Sequence, residues 1–317
     1  MVSGFAISMK HAIVFMGGDP AQGPVPQRVT GWRSMMSDAL RFDDPQWCET
    51  EYNPRLRVSD AATYQPKWGE WAAAARQAHP PIADIRYGDH PREVMDLFRA
   101  PKAKGACLFI HGGYWRSFSK NEFSWVVEAL LKEDLTVAVV NYPLCPEVTI
   151  ADIVLSVRKA VVALAKTHLT SEEKANWIVS GHSAGGYLAA AMSAVNWRAL
   201  GLEGQVFCGV VPVSGVFDVR PLIHTSINEQ LRLTKESAHA LTLFDQRPHD
   251  PIPMVPIYGA DESSEFCRHS IDLAKLWPRS EAAIGIQGRN HFNVIEGIKD
   301  PNSILFKTLM RLLGFGH

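Results

Sequence analysis

Two kinds of hydrophobic pattern alternate along the chain from about residue 82 onward. Short, nearly continuous apolar runs, typical of buried strands, alternate with longer segments whose apolar positions follow helical spacing. The apolar runs lie at residues 106–110, 137–140, 177–180, 206–213, 255–258 and 282–286. The other segments predict helices at about residues 121–132, 149–166, 186–195, 265–276 and 303–313. This alternation predicts an α/β fold with a mostly parallel central sheet and helices on both faces.

The chain before these runs is organised differently. Residues 82–87 and 93–98 alternate apolar and polar positions around the turn sequence Gly88-Asp89-His90-Pro91, which predicts an antiparallel hairpin at the sheet edge. Residues 44–78 predict helices with an aromatic stripe that is typical of packing. Residues 1–44 carry glycine and proline turn signals, which predict an N-terminal arm. The main domain is therefore predicted at residues 45–317.

Composition and charge narrow the class of protein. The 317 residues are 46% hydrophobic, which is enough for one large core. A formal net charge of −1 gives no electrostatic footprint for a nucleic acid or an anionic membrane, so the expected partner is a small molecule. The five cysteines lack paired spacing, and the sequence lacks both a signal-peptide pattern and an apolar span of roughly 20 residues. These features favour a cytoplasmic protein; whether it forms a homodimer stays open.

The sequence Gly181-His182-Ser183-Ala184-Gly185 joins the apolar run at 177–180 to a helix of small residues. A strand, a tight turn with Gly-x-Ser-x-Gly and a helix form the nucleophile elbow of the α/β-hydrolases. The turn strains the backbone of the serine, and glycines are needed because side chains would clash at the corner. An ordinary glycine loop is the alternative. The flanking strand and helix favour Ser183 as a nucleophile.

A second glycine pair follows the run at 106–110, in His111-Gly112-Gly113-Tyr114-Trp115. Acyl transfer by a serine needs hydrogen-bond donors for the oxyanion, and backbone amides next to glycines are unobstructed. We therefore predict that the amides of Gly112, Gly113 and Ala184 form the oxyanion hole, with His111 holding the loop. A glycine turn without a catalytic role is the alternative.

The serine also needs a base and an acid that orients the base. In this fold the chain order is serine, acid, histidine, and both partners follow late strands. Asp261 follows the run at 255–258, and His291 follows the run at 282–286, so these two residues are the predicted partners. Glu262 and Asp218 are the rival acids. The remaining candidate histidines fit the expected order less well: His182, His224, His249 and His269.

An irregular segment at about residues 217–250 occupies the place where such hydrolases insert a cap. His224, Asn228 and Leu231 are its predicted substrate-contacting residues, and a packed surface insertion is the alternative. Tyr114 and Trp115 flank the oxyanion loop and could contact an aromatic substrate, although Trp115 could equally brace the loop. The predicted reaction proceeds through an acyl-enzyme on Ser183 and needs neither a metal nor a cofactor.

Six further or extended motifs occur together in the chain: His111-Gly-Gly-Tyr-Trp115, Gly181-His-Ser-Ala-Gly-Gly186, Tyr142-Pro-Leu-Cys-Pro146, His291-Phe-Asn-Val-Ile-Glu296, Tyr52-Asn-Pro-Arg-Leu-Arg57 and Asp84-Ile-Arg-Tyr-Gly88. Together they resemble the kynurenine formamidase, or arylformamidase, branch of the α/β-hydrolases. This resemblance covers roughly residues 52–317. It implies hydrolysis of N-formylkynurenine to kynurenine and formate, with Ser183, Asp261 and His291 as the triad and the paired glycines as oxyanion donors. A short-chain carboxylesterase or an aryl acylamidase of broad specificity remains the alternative.

Overall fold

The computed structural model describes residues 41–246, 248 and 251–315, so nearly all of the predicted arm at 1–44 lies outside the described residues. Eight strands form one sheet: β1 (Ile82–Arg86), β2 (Val94–Phe98), β3 (Gly105–Ile110), β4 (Leu135–Val140), β5 (Trp177–His182), β6 (Gly209–Val213), β7 (Ile257–Gly259) and β8 (Ile284–Ile286). The helices before β5 are α1 (Pro45–Tyr52), α2 (Ala61–Ala78), α3 (Lys120–Phe123), α4 (Val127–Lys132), α5 (Ile150–Ala163) and α6 (Ser171–Ala175). After β5 come α7 (Ala184–Met192), α8 (Asn228–Leu231), α9 (Lys235–Leu241), α10 (Ser264–Leu276) and α11 (Ile304–Leu312).

The strand order is β1-β2-β4-β3-β5-β6-β7-β8. The hairpin of β1 and β2 is antiparallel and sits at one edge, where β2 also pairs antiparallel with β4. From β4 across to β8 every pairing is parallel. The predicted fold class, a mostly parallel α/β-hydrolase sheet, is confirmed.

The pairing register lines up the carboxyl ends of the central strands. Ile110 at the end of β3 lies opposite Gly181 in β5, and Gly181 lies opposite Pro212 in β6. At the far edge Gly259 pairs with Ile286, the last residue of β8. Since ligands of such sheets bind beyond the carboxyl ends of the strands, the loops that follow these residues face one common site.

The sheet is covered on both faces, as the apolar runs predict. One buried cluster contains Ile153 and Val157 of α5 and Leu188 of α7. A second, on the opposite face, contains Trp68 of α2 and Leu309 of α11. Continuous apolar strands are the expected sequence of a sheet that is buried twice.

Several element boundaries differ from the predicted ones. The predicted helix at 121–132 is divided into α3, a 3₁₀ turn (Ser124–Val126) and α4. The predicted strand at 206–213 begins only at Gly209, and the run at 282–286 contributes the three residues of β8. Among the described residues, no helix has both the length and the apolar character that crossing a membrane requires.

The insertion and the N-terminal helix α1 contact each other. Residues 217–246 form the 3₁₀ helix Arg220–His224, then α8 and α9, and then the 3₁₀ turn Leu243–Asp245; residues 247, 249 and 250 lie outside the described part. The Glu49 carboxylate of α1 accepts hydrogen bonds from the amide and hydroxyl of Ser226, at 2.7 and 2.9 Å. Helix α1 is thus tied to the insertion that borders the site.

Candidate active site

Ser183 occupies the sharp turn between β5 and α7. Its backbone has φ 57° and ψ −119°, a strained conformation for a non-glycine residue, and its amide donates to Val213 O at 2.8 Å. The flanking glycines are sterically required. A Cβ on Gly185 would lie 2.0 Å from Ile110 O, and one on Gly181 would lie 2.3 Å from Gly185 O. The sequence therefore folds into this turn because no side chain fits at either position.

His291 lies after β8 and is brought to Ser183 by the alignment of strand ends. Its Nε2 is 3.1 Å from Ser183 Oγ, and its Nδ1 is 2.7 Å from Glu262 Oε2. A carboxylate only accepts hydrogen bonds, so Nδ1 carries the proton and Nε2 is free to accept one from the serine. All three side chains are buried. This hydrogen-bonded chain has the geometry of a nucleophile, a base and an orienting acid.

The structure corrects the predicted acid, because the carboxylate that meets His291 belongs to Glu262 and not to Asp261. The amide of Glu262 donates to Gly259 O at 3.1 Å, which closes a tight turn after β7. Asp261 is exposed at this turn, whereas Glu262 points back into the molecule. The chain order serine, acid, histidine is kept, and the acid is displaced by one residue.

The Glu262 carboxylate is held on both of its oxygens. Oε1 accepts from the Ser214 hydroxyl at 2.5 Å and from the Gly259 amide at 2.6 Å, which leaves Oε2 for His291. The carboxylate of Asp218, the other rival acid, accepts hydrogen bonds from the Arg220 guanidinium and from the Thr242 hydroxyl instead. Asp218 therefore acts as a hydrogen-bond acceptor within its own loop.

The His-Gly-Gly loop lies directly beside the nucleophile. A Cβ on Gly112 would lie 3.2 Å from Ser183 Cβ, and Gly113 has φ 110°, which L side chains rarely adopt. Within the described part of the chain, the amides of Gly112 and Gly113 make no backbone hydrogen bond, and the Ala184 amide is in the first turn of α7, where it has no intrahelical partner. Three unused donors therefore border the serine.

His111 braces that loop. Its ring stacks on Tyr142 with 4.3 Å between centroids, and its Nδ1 donates to Gly112 O at 2.8 Å. The Tyr142 hydroxyl in turn donates to His111 O at 2.9 Å. Burial lowers the pKa of His111 to about 3, so the imidazole is neutral near pH 7.

His182 positions the base, a role that the sequence did not indicate. Its Nε2 donates to the backbone oxygen of His291 at 2.7 Å, and its ring lies 5.0 Å from that of His291. Burial, with a smaller contribution from His291, lowers the pKa of His182 to about 3. The histidine inside the nucleophile motif is therefore a neutral donor to the histidine loop. Residue type alone carries no signal for this contact, because it joins two segments 109 residues apart.

A cavity of about 390 Å³ opens at Ser183. Its aromatic lining consists of Trp68, Tyr114, Phe118, Phe123 and Phe292. Its polar lining consists of Arg55, Arg116, Ser117, His182, Ser183, Gln230 and His291, beside Gly112 and Gly113. Among the described residues, no group of three or more histidine, cysteine or acidic side chains could hold a metal ion.

Of the predicted substrate contacts, Tyr114 lines this cavity and the other four do not. Trp115 is fully buried against Tyr187, with 5.3 Å between ring centroids, and so braces the loop. Asn228 uses its amide within the insertion, on Leu233 N and O, and Leu231 packs in the core. His224 is half-buried and does not belong to the lining. The insertion contributes Gln230 in their place.

Comparisons with known proteins agree with this geometry. A family profile described as an α/β-hydrolase fold matches residues 107–268, half of the chain. The kynurenine formamidase of Danio rerio is 24% identical over 303 residues, which cover 90% of this chain and 99% of the relative. That of Drosophila melanogaster is 23% identical and covers 68% of this chain and 76% of the relative. The predicted resemblance to kynurenine formamidases is confirmed.

Solved structures show the same fold. A protein from a Silicibacter species, provisionally named a thioesterase, superposes with a TM-score of 0.72 at 31% identity, over 81% of this chain and 97% of that one. An esterase of Pyrobaculum calidifontis superposes with a TM-score of 0.59 at 16% identity, over 85% and 97% of the two chains. With the family profile, the sheet topology and these relatives in agreement, the chain belongs to the α/β-hydrolase fold family and is a hydrolase of the esterase and amidase type.

Proposed function

We propose that this hydrolase removes a small acyl group from an aryl amide or ester, and that its substrate is N-formylkynurenine, which it converts to kynurenine and formate. The observation that carries the proposal is the hydrogen-bonded chain from Ser183 through His291 to Glu262. The named substrate is supported by the kynurenine formamidases that match nearly the whole chain.

In the proposed mechanism, Ser183 Oγ attacks the formyl carbon while His291 Nε2 takes the serine proton. Glu262 keeps the proton of His291 on Nδ1 and stabilises the imidazolium. The amides of Gly112, Gly113 and Ala184 bind the oxyanion, and each such donor is typically worth ~3 kcal/mol in the transition state. His291 then protonates the aniline nitrogen as the carbon–nitrogen bond breaks. Water, activated by the same histidine, cleaves the formyl ester and releases formate.

The lining of the cavity supports an aromatic leaving group. Trp68, Phe123 and Phe292 line the same cavity as His291, and aromatic surfaces bind a flat aryl ring through large contact areas. The second candidate, a short-chain carboxylesterase, is favoured by the size of the cavity, because about 390 Å³ leaves room for acyl groups larger than formyl.

The purified protein should be tested with N-formylkynurenine, p-nitrophenyl acetate and p-nitrophenyl butyrate. A formamidase should have its highest kcat/KM on N-formylkynurenine, and an esterase of broad specificity should prefer the two esters. Labelling by a fluorophosphonate should disappear in Ser183→Ala and persist in Ser193→Ala, a buried serine that follows the same helix. Persistent labelling of Ser183→Ala would remove the basis of the proposal.

A further inference from the structure

Among the described residues that line the cavity, the ionisable side chains other than the two histidines are both cationic. They are Arg55 and Arg116, and no aspartate or glutamate of the described part of the chain belongs to the lining. The two arginines come from separate segments: Arg55 from the 3₁₀ turn Pro54–Leu56 after α1, and Arg116 from the loop that follows Trp115. The formal net charge of the whole chain is −1, so this positive character is local to the site.

Neither guanidinium has an acidic partner within the described residues. Other arginines of the chain do: Arg220 pairs with Asp218 and Arg268 pairs with Glu265, each at 2.6 Å. An unpaired guanidinium beside a catalytic serine keeps its donors available for a ligand. Arg116 is half-buried, so its charge is less screened by water than that of the exposed Arg55.

Glu49 is the carboxylate whose pKa responds to Arg116. Burial raises the pKa of Glu49, but hydrogen bonds from Asn53 and Ser226 outweigh that effect and, with the charge of Arg116, lower it. Both oxygens of Glu49 already accept from Ser226, and one also accepts from Asn53 at 2.8 Å. Among the described residues these are the hydrogen bonds that the Glu49 carboxylate accepts, and no ion pair joins it to Arg116.

We propose that Arg116, assisted by Arg55, binds a carboxylate on the leaving group of the substrate. The hydrolase thereby selects aryl amides and esters that carry a carboxylate over analogues of the same shape that lack it. A guanidinium can bind a carboxylate through two parallel hydrogen bonds, which fixes orientation as well as position. This inference rests on the proposed function, because it names the chemical class of substrate for the same serine. N-Formylkynurenine, with a carboxylate remote from its formyl group, belongs to that class.

The recognised carboxylate is remote from the reacting carbon and its charge does not change during acyl transfer. Its contact with Arg116 therefore stabilises the bound substrate and the transition state equally. Loss of such a contact raises KM and leaves kcat nearly unchanged, whereas a disturbed oxyanion loop would lower kcat. This split separates substrate binding by Arg116 from a structural role in the adjacent His-Gly-Gly loop.

The test uses two aryl acetates that differ in one charge, 3-(4-acetoxyphenyl)propionate and its neutral carboxamide. Wild type should prefer the carboxylate by about tenfold in kcat/KM, through KM, because a charge-assisted hydrogen bond is lost with the amide. Arg116→Gln should raise KM for the carboxylate by about tenfold and KM for the carboxamide by far less, so that the preference disappears while kcat on each compound stays near its wild-type value. Arg55→Gln should have a smaller effect of the same kind. Arg86→Gln changes an exposed arginine at the end of β1, outside the cavity lining, and is the matched control that should leave the kinetics unchanged.

Equal kcat/KM of wild type for the two acetates would overturn the inference, as would an Arg116→Gln variant that loses activity on both equally. If that variant does not fold, the preference of wild type for the carboxylate over the carboxamide tests the inference. This preference must decrease as the salt concentration increases. A failure of this inference can be distinguished from a failure of the proposed function. A protein that prefers the anionic acetate but leaves N-formylkynurenine intact refutes the named substrate and keeps the carboxylate site.

If neither acetate is cleaved, the proposed chemistry fails. Calorimetric titration with 3-(4-hydroxyphenyl)propionate and its carboxamide then measures the site directly. Tighter binding of the carboxylate in wild type, lost in Arg116→Gln, supports the inference, and equal binding of the two compounds contradicts it.

Discussion

The two sides of the active site are built on different physical principles. On the nucleophile side, backbone atoms approach so closely that no residue larger than glycine fits at Gly181 or Gly185. The position of Ser183 then follows from the geometry of the turn. On the acid side, the position of the Glu262 carboxylate follows from side-chain and loop hydrogen bonds, given by Ser214 and Gly259. A steric requirement can be recognised in the sequence because it restricts the residue types that fit. A position held by hydrogen bonds restricts them far less and is harder to recognise.

The acid side also depends on α1, which lies more than 200 residues earlier in the chain. The Ser263 hydroxyl donates to Glu51 O at 2.7 Å, and the Ser264 hydroxyl donates to the Glu51 carboxylate at 2.7 Å. The Tyr52 hydroxyl donates to Glu265 at 2.5 Å. The loop that carries Glu262 is thus fixed by a distant helix, whereas the nucleophile turn is fixed largely by its own glycines and the strand beside it.

The largest expected effect separates the two neighbouring carboxylates. Glu262→Gln should lower kcat by about 10⁴-fold, because an amide no longer holds the proton on His291 Nδ1 or stabilises the imidazolium. Asp261→Asn should leave kcat within about twofold, since that side chain is exposed and does not reach the histidine. Steady-state kinetics on the preferred substrate measure both. The reverse ranking would restore Asp261 as the acid.

The next effect tests the steric basis of the nucleophile side. Gly185→Ala should destabilise the protein by about 3 kcal/mol or more, because its Cβ would lie 2.0 Å from a backbone oxygen that cannot move aside cheaply. Gly69→Ala is the matched control: a Cβ at this α2 position meets nothing within 4 Å, so helix propensity should stabilise the protein by about 0.5–1 kcal/mol. Urea unfolding measures both, and equal stability of the two variants would contradict the steric account.

Much of the fold and one side of the site could be predicted from the sequence. Continuous apolar runs predicted the parallel strands because the sheet is buried on both faces. Gly-His-Ser-Ala-Gly predicted the turn because its geometry excludes side chains. The choice between Asp261 and Glu262 could not be predicted in the same way, since both follow β7 and only the turn closed by Gly259 decides which one faces inward.

The substrate-facing residues were the least predictable part. Their positions depend on which face of each short helix in the insertion meets the core, and a four-residue helix such as α8 is too short to show a hydrophobic period. Leu231 therefore packs inside while its neighbour Gln230 reaches the cavity. The support that His182 gives to His291 joins distant segments and has no local pattern.

Both sides contain neutral buried histidines, and this predicts how stability depends on pH. Burial lowers the pKa of His111 and His182 to about 3 and that of His269 to about 4, against 6.5 for an exposed histidine. Above pH 6.5 neither the folded nor the unfolded chain protonates them, and the stability is complete. As the pH falls below 6.5, these histidines become protonated in the unfolded chain but stay neutral in the folded chain. The free energy of unfolding should then fall by about 1 kcal/mol per histidine between pH 7 and 5.5.

Urea unfolding at the two pH values measures this loss, about 3 kcal/mol for the three histidines together. Histidine ring signals in NMR spectra assign it to individual residues, because those of His111, His182 and His269 should stay constant over this range. A signal from His182 that titrates near pH 6 would mean that the support of the base loosens on the nucleophile side. One from His269 would mean the same for the acid side.

The smallest expected effect concerns the contribution of a single side-chain hydrogen bond to the position of the Glu262 carboxylate. Ser214→Ala removes one of the two donors to Glu262 Oε1, and the Gly259 amide remains. We expect kcat to fall about fivefold with KM unchanged, the cost of about 1 kcal/mol for one hydrogen bond to a charged group that keeps a second donor. Ser214 has φ 51°, so Ser214→Gly removes the same hydroxyl without the backbone strain. Equal losses of kcat in the two variants would assign the effect to the hydrogen bond. Full activity in Ser214→Gly would assign it to the backbone, and both sides of the site would then be determined by backbone conformation.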